Sequence, residues 1–164
     1  MNYYIFRHSE TYFSKNDAHY GSLNETAEII PEGVAATERL AKYLATKNIN
    51  AFYSSPFKRC VQTAEIVEKI TGKKFLTDTR IGEEMINYGK ETFDELVDRI
   101  KKFLDEIKTK KYQGIAICSH GWPIATLVAQ ITKGEVSQND LKSYPACGIL
   151  IEIENGVTTK KDFN

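Results

Sequence analysis

Cysteine is scarce in this chain. The three present, Cys60, Cys118 and Cys147, are odd in number and show no C-x-x-C spacing, which argues against a disulfide framework or a zinc site. Histidine is equally sparse. Its three positions, 8, 19 and 120, have no tight metal-ligand spacing, and H-E-x-x-H is absent, so no metal is expected. Nor is there a G-x-x-x-x-G-K-[ST], G-x-G-x-x-G or G-x-S-x-G pattern, and no cofactor is implied. A cysteine phosphatase needs an arginine six positions past its cysteine; Ile66, Ile124 and Ile153 stand there instead. Net charge is zero, with 22 basic and 22 acidic residues, so no global field draws the chain to nucleic acid or an anionic membrane. No apolar stretch approaches the ~18 residues of a membrane span. Met1 leads into a short strand-like run rather than a leader's apolar region, so a cytoplasmic location is expected.

What is there is an ordinary globular composition, 41% hydrophobic and 27% charged over 164 residues, enough for one domain spanning 1–164 with a sizeable core. Strand-like and helix-like segments alternate. Strands are predicted at Asn2–Phe6, Ala51–Ser54, Lys74–Leu76, Ile115–Cys118 and Gly148–Ile153. Helices are predicted from about Gly33 to Thr46, from Phe57 to Thr71 before Gly72, from Thr92 onward, and from Trp122-Pro123 to about Gly134. Thr92-Phe93-Asp94-Glu95 has the form of a capping box. Ser55 is the expected N-cap of the second helix and Pro56 its first residue. The segment Glu10–Glu28 is polar and aperiodic, and reads as a long loop. This alternation predicts an α/β fold, a three-layer α/β/α sandwich with a mainly parallel central sheet.

Two histidines stand at strand ends. Tyr3-Tyr4-Ile5-Phe6 runs into Arg7-His8-Ser9, and Ile115-Ala116-Ile117-Cys118 runs into Ser119-His120-Gly121. If those strands are neighbours in a parallel sheet, both imidazoles meet at its carboxyl edge, where open α/β sheets bind ligands. Phosphoryl transfer to histidine needs a neutral imidazole, cationic donors around the equatorial oxygens, and an acid for the leaving group. His8 is the candidate nucleophile. Arg7, Arg59 and His120 are candidate donors, Arg59 at a helix start that already favours anions. Gly121 would let backbone approach the ligand. Either Glu83 or Glu84 could be the acid, provided burial raises its pKa.

These blocks resemble the histidine phosphatase superfamily, the phosphoglycerate mutase-like proteins. Phe6-Arg7-His8-Ser9-Glu10-Thr11 resembles its Arg-His-Gly-Glu-Ser/Thr signature, and Pro31-Glu32-Gly33 its segment before the first long helix. Ser54-Ser55-Pro56-Phe57-Lys58-Arg59-Cys60-Val61-Gln62-Thr63-Ala64 is similar to its Ser-Ser-Pro-x-x-Arg-x-x-Gln-Thr-Ala block. Asp78–Glu83 resembles the stretch ending in its proton donor, and Ser119-His120-Gly121 matches its second histidine motif. The resemblance implies a phosphoglycerate mutase-like fold, a phosphatase acting without metal through phospho-His8, phosphate held by Arg7, Arg59 and His120, and Glu83 as acid and then base. Glu84 replaces Glu83 if the register slips by one. Ser9 stands where the family usually has glycine, and Ser14, with Asn16 nearby, where it often has a phosphate-binding asparagine. Only Met85–Glu91 separates the acidic pair from the next helix, which predicts a shallow, open pocket favouring hydrolysis over the mutase reaction. The implied partner is a phosphorylated small molecule or a phosphoprotein, phosphohistidine proteins included. A mutase and a non-catalytic phosphate-binding module are the rivals, and oligomeric state is left open.

Overall fold

The apolar run after Met1 forms a strand, β1 (Asn2–Arg7), and the second such run forms β4 (Gly114–Ser119). In the computed structural model, which describes all residues Met1–Asn164, the two lie side by side and parallel, with Arg7 opposite Ser119. His8 and His120 are therefore equivalent positions, one residue beyond the paired ends. Four further strands complete a single sheet: β2 (Ala51–Ser54), β3 (Leu76–Thr77), β5 (Ile149–Glu154) and β6 (Val157–Asp162). The order is β3-β2-β4-β1-β5-β6, with β3, β2, β4 and β1 parallel and β5 antiparallel to both its neighbours, β1 and β6.

Side chains alternate between the faces of the sheet, so each apolar run feeds two cores. Tyr3, Ile5, Ile115 and Ile117 pack beneath α4 (Phe93–Thr109) and α5 (Gly121–Thr132). Tyr4, Phe6, Ala116 and Cys118 pack beneath α2 (Val34–Leu44) and α3 (Lys58–Thr71). The result is the expected three-layer sandwich. Helix α4 shows why its sequence folds so. Leu96, Ile100, Phe103, Leu104 and Ile107 recur on one buried face, and Thr92 and Glu95 cap each other's backbone N–H. Losing that cap would cost about 1 kcal/mol. No helix is long and apolar enough to cross a membrane.

Five sequence-based expectations change. Strand β6 was not among the predicted strands. The edge strand predicted over Lys74–Leu76 is displaced to Leu76–Thr77. The loop Glu10–Glu28 contains a short helix, α1 (Tyr12–Lys15), whose start is capped reciprocally by Thr11 and Ser14, and a 3₁₀ turn over Gly21–Leu23. Helix α3 begins at Lys58, not Pro56, with Phe57 at its N-cap. The Ser55 hydroxyl still accepts from the Phe57 N–H at 3.2 Å, one turn ahead of the helix proper, and also lies 2.7 Å from Nε2 of His120. The last helix likewise starts at Gly121, which puts Pro123 third rather than first, still within the turn that needs no N–H donor.

Candidate active site

Continuing β1 past its last ladder pair brings His8 under the surface, where it is fully buried. Its Nδ1 lies 2.8 Å from the Ser9 carbonyl, which can only accept, so Nδ1 carries the proton and donates. Nε2 is left with a free lone pair and no partner. Burial pushes the imidazole pKa well below its ordinary value, and the Arg7 and Arg59 charges push it the same way. Both influences favour the neutral ring, in which Nε2 keeps its lone pair.

His120 follows β4 and caps α5. Its ring centroid is 5.4 Å from that of His8. Nε2 faces the Ser55 hydroxyl, while Nδ1 has no hydrogen-bond partner and lies 3.5 Å from Oε2 of Glu83. Arg59, in the first turn of α3, is also fully buried. One terminal nitrogen donates to the Asn24 carbonyl; the other donates to Glu83 Oε2 at 3.1 Å and to Asn24 Oδ1 at 3.3 Å. Tyr20 lies over the guanidinium at 4.2 Å, and Phe13 stacks on Tyr20. Arg7 sits at the mouth beneath the Tyr144 ring, 5.3 Å from its centroid. A Cβ at position 121 would meet that same ring at 3.0 Å, so glycine there lets Tyr144 close over the arginine.

The two acidic candidates separate cleanly. Glu84 accepts from the N–H groups of Ile86 and Asn87 and from the Asn87 side chain, which commits it to holding the 3₁₀ turn Ile86–Tyr88. Glu83 points inward to Arg59 and His120. Burial raises its pKa above the usual carboxylate range, against the opposing pull of Arg59, the Glu84 N–H and Arg7. Arg99 of α4 fixes the segment carrying it. All five of its N–H groups are used, on the carbonyls of Arg80, Gly82 and Glu83 and on both carboxylate oxygens of Glu91. Sequence reasoning missed Arg99, Asn24 and Tyr144; on a helical stripe Arg99 reads as a surface charge.

Five buried side-chain polar atoms in the whole chain lack a partner: Arg7 Nε, His8 Nε2, Ser9 Oγ, Arg59 Nε and His120 Nδ1. All five belong to this one place. Leaving such groups unpaired costs about 1–3 kcal/mol each; while His8 Nε2 keeps its lone pair, the two arginine nitrogens and the Ser9 hydroxyl can donate to a ligand that supplies several acceptors at once. A tetrahedral oxyanion does so. Ser9 fits without strain, because its backbone is not left-handed, its N–H donates to Thr63 and its hydroxyl packs toward the bare Cα of Gly33. Ser14 and Asn16 do not join the cluster. The Ser14 hydroxyl is taken by Glu10 and Thr11, and the exposed Asn16 amide donates to the Tyr12 carbonyl. The short Met85–Glu91 segment does not leave the imidazoles open to solvent; above them is a mouth of about 250 Å³ lined by Arg7, Glu83, Glu84, Asn87, Gly121, Trp122 and Tyr144.

The family model of the histidine phosphatase superfamily (branch 1) matches residues 3–90 and 82–164. The chain belongs to that superfamily. Among relatives of this histidine phosphatase, a candidate phosphoserine phosphatase 2 from Hydrogenobacter thermophilus is 23% identical over 79% of the chain and 77% of its own length. Two solved structures share the fold. A mycobacterial glucosyl-3-phosphoglycerate phosphatase, bound to VO3, has a TM-score of 0.79 at 16% identity, covering 98% of this chain and 96% of its own. The protein histidine phosphatase SixA, bound to tungstate, has a TM-score of 0.70 at 17% identity, covering 98% and 94%.

Proposed function

We propose that the chain is a phosphomonoester hydrolase working through a phosphohistidine on His8. The single observation that supports this is the buried pair His8 and His120, 5.4 Å apart by ring centroids, with unpartnered nitrogens on both rings and on the neighbouring Arg7 and Arg59. His8 Nε2 attacks phosphorus, and the bond from phosphorus to the leaving oxygen breaks. Protonated Glu83 gives its proton to that oxygen. Arg7, Arg59 and His120 hold the equatorial oxygens as charge gathers there. Water then attacks the phosphohistidine, Glu83 takes its proton, and the phosphorus–nitrogen bond breaks to release phosphate and neutral His8. The Ser9 carbonyl keeps the Nδ1 proton in place through both steps.

The incoming phosphate brings further negative charge beside Glu83, which favours the protonated acid that the first step requires. That oxyanions occupy two of the structural relatives supports the same reading of the pocket. The substrate is a phosphorylated small molecule or a phosphoprotein. Rapid quench of the enzyme with p-nitrophenyl phosphate, followed by intact-mass measurement, should reveal one phosphoryl adduct that is acid-labile, base-stable and absent from His8→Ala. An adduct that persists in His8→Ala, or none during measurable turnover, overturns the mechanism.

A further inference from the structure

Beside the catalytic mouth runs a second cavity, a groove of about 370 Å³ lined by Ile86, Phe93, Trp122, Gln138, Asn139, Leu141 and Lys142. Its volume lies at the lower end of the roughly 300–1,000 Å³ typical of small-molecule sites. Two features join it to the chemistry. Trp122, the residue after Gly121, lines both cavities. Ile86 in the groove adjoins Asn87 in the mouth, on the turn that Glu84 holds. A leaving group expelled from phosphorus has this apolar trough next to it.

The walls are chemically uneven. Ile86, Phe93, Trp122 and Leu141 make an apolar bed, whereas Gln138, Asn139 and Lys142 supply a polar end. No carboxylate lines the groove. Asp140, the acid nearest in sequence, is bound to Lys133, Ser137 N–H and the Ser137 hydroxyl, which also anchors the polar end in place. Lys142 forms no ion pair and is exposed. The groove therefore suits a flat apolar body with an anionic substituent on its far side.

Resting on the hydrolase reading, we propose that the preferred substrate is a small phosphomonoester whose leaving group has an aromatic or similarly flat apolar body and carries a carboxylate that meets Lys142. The apolar bed selects the body, and the cation selects the charge. Selectivity arises in a trough next to the phosphate cluster, so it can be changed without touching the reacting groups.

Phosphonates, which cannot be hydrolysed, test this apart from catalysis. Benzylphosphonate, (2-naphthylmethyl)phosphonate and its 6-carboxylate would be titrated calorimetrically into the full-length protein. The naphthyl compound should bind roughly tenfold tighter than the benzyl compound, as partial burial of four more ring carbons predicts. The carboxylate should add about threefold, the modest gain of an exposed charge pair. Lys142→Glu should remove the carboxylate's gain alone, and Phe93→Ala should narrow the naphthyl-to-benzyl ratio. Equal affinities for all three compounds, or variants that shift all three alike, overturn the groove assignment. Phenyl phosphate hydrolysis by the same preparation separates the two ideas. Cleavage with a flat phosphonate series defeats the groove and leaves the hydrolase standing, whereas graded phosphonate binding without cleavage defeats the hydrolase and the substrate claim built on it.

Discussion

Two buried polar clusters occupy this sheet, and they have opposite characters. On β5, Glu152 is 3% exposed, yet its carboxylate accepts from the Tyr43 hydroxyl at 2.9 Å and pairs with Lys47 at 3.1 Å. Lys47 also reaches Glu154, which the Tyr4 hydroxyl satisfies from the other side. Every buried polar atom there has found a partner within the chain. At the carboxyl ends of β1 and β4 and in the first turn of α3, five such atoms have found none. Burial of charge alone therefore does not mark a functional place in this molecule. Unspent hydrogen-bonding capacity does, because a self-satisfied network has nothing left to offer a ligand.

The sharpest way to break this contrast is to truncate one member of each cluster. His8→Ala should lower phosphatase turnover by roughly 10⁴–10⁶-fold, as losing a nucleophile does. Glu152→Ala should leave kcat intact and lower unfolding free energy by roughly 2–3 kcal/mol, since it strands buried partners. Kinetics and urea denaturation on both proteins read the two effects. Loss of turnover in a folded Glu152→Ala, with His8→Ala still active, would reverse the assignment.

Glu83→Gln comes next. It should cost alkyl phosphates about 10²–10⁴-fold in kcat and aryl phosphates with good leaving groups far less, because only the former need a proton. The free enzyme's kcat/KM should fall on the alkaline side as Glu83 ionises, above its ordinary value of 4.5, and on the acid side as His8 protonates, below its ordinary 6.5. Stability follows with its own signs. The depressed histidines bind fewer protons folded than unfolded, so their contribution is present above about 6.5 and lost as pH falls toward their folded values. Glu83 acts oppositely, its contribution declining as pH rises through its raised folded value.

Arg99→Gln is a milder perturbation. The loss should be about 10–100-fold on alkyl phosphates, the scale of a misplaced catalytic group, and should shrink on good leaving groups. A purely structural loss would hit both substrate types equally. The smallest effect is thermal. Tungstate at a hundred times its Kd should stabilise wild type by about 2.7 kcal/mol, a shift of roughly 5–10 °C in Tm, and Arg59→Ala should abolish most of it.

Much of this was legible in the chain because two kinds of periodicity were strong. Strands β1 and β4 are covered on both faces and so read as continuous apolar runs, and the histidines after them fixed where to look. Strand β6 was invisible for the converse reason. Val157–Asp162 lies at a sheet edge with its residues largely exposed, and lysines at such an edge discourage pairing with another chain rather than announcing a strand. The second contact of the Ser55 hydroxyl is with a residue 65 positions away, which no local capping rule contains. Glu83 and Glu84 are adjacent and chemically identical; the resemblance favoured Glu83, and the turn that consumes Glu84 is the physical feature that separates them.

The position of β4 has a consequence for how the protein comes into being. Strands β1 and β2 are not neighbours; β4, made from residues 114–119, is inserted between them. A ribosome that has delivered Arg7, His8, Arg59 and Glu83 has thus delivered most of the reacting groups, with no strand yet to join the two halves of the sheet. The nascent polypeptide carries its cationic side chains unassembled until the central strand arrives. The site cannot be joined across the sheet before residues 114–119 emerge, so an N-terminal fragment ending before Gly114 should be inactive.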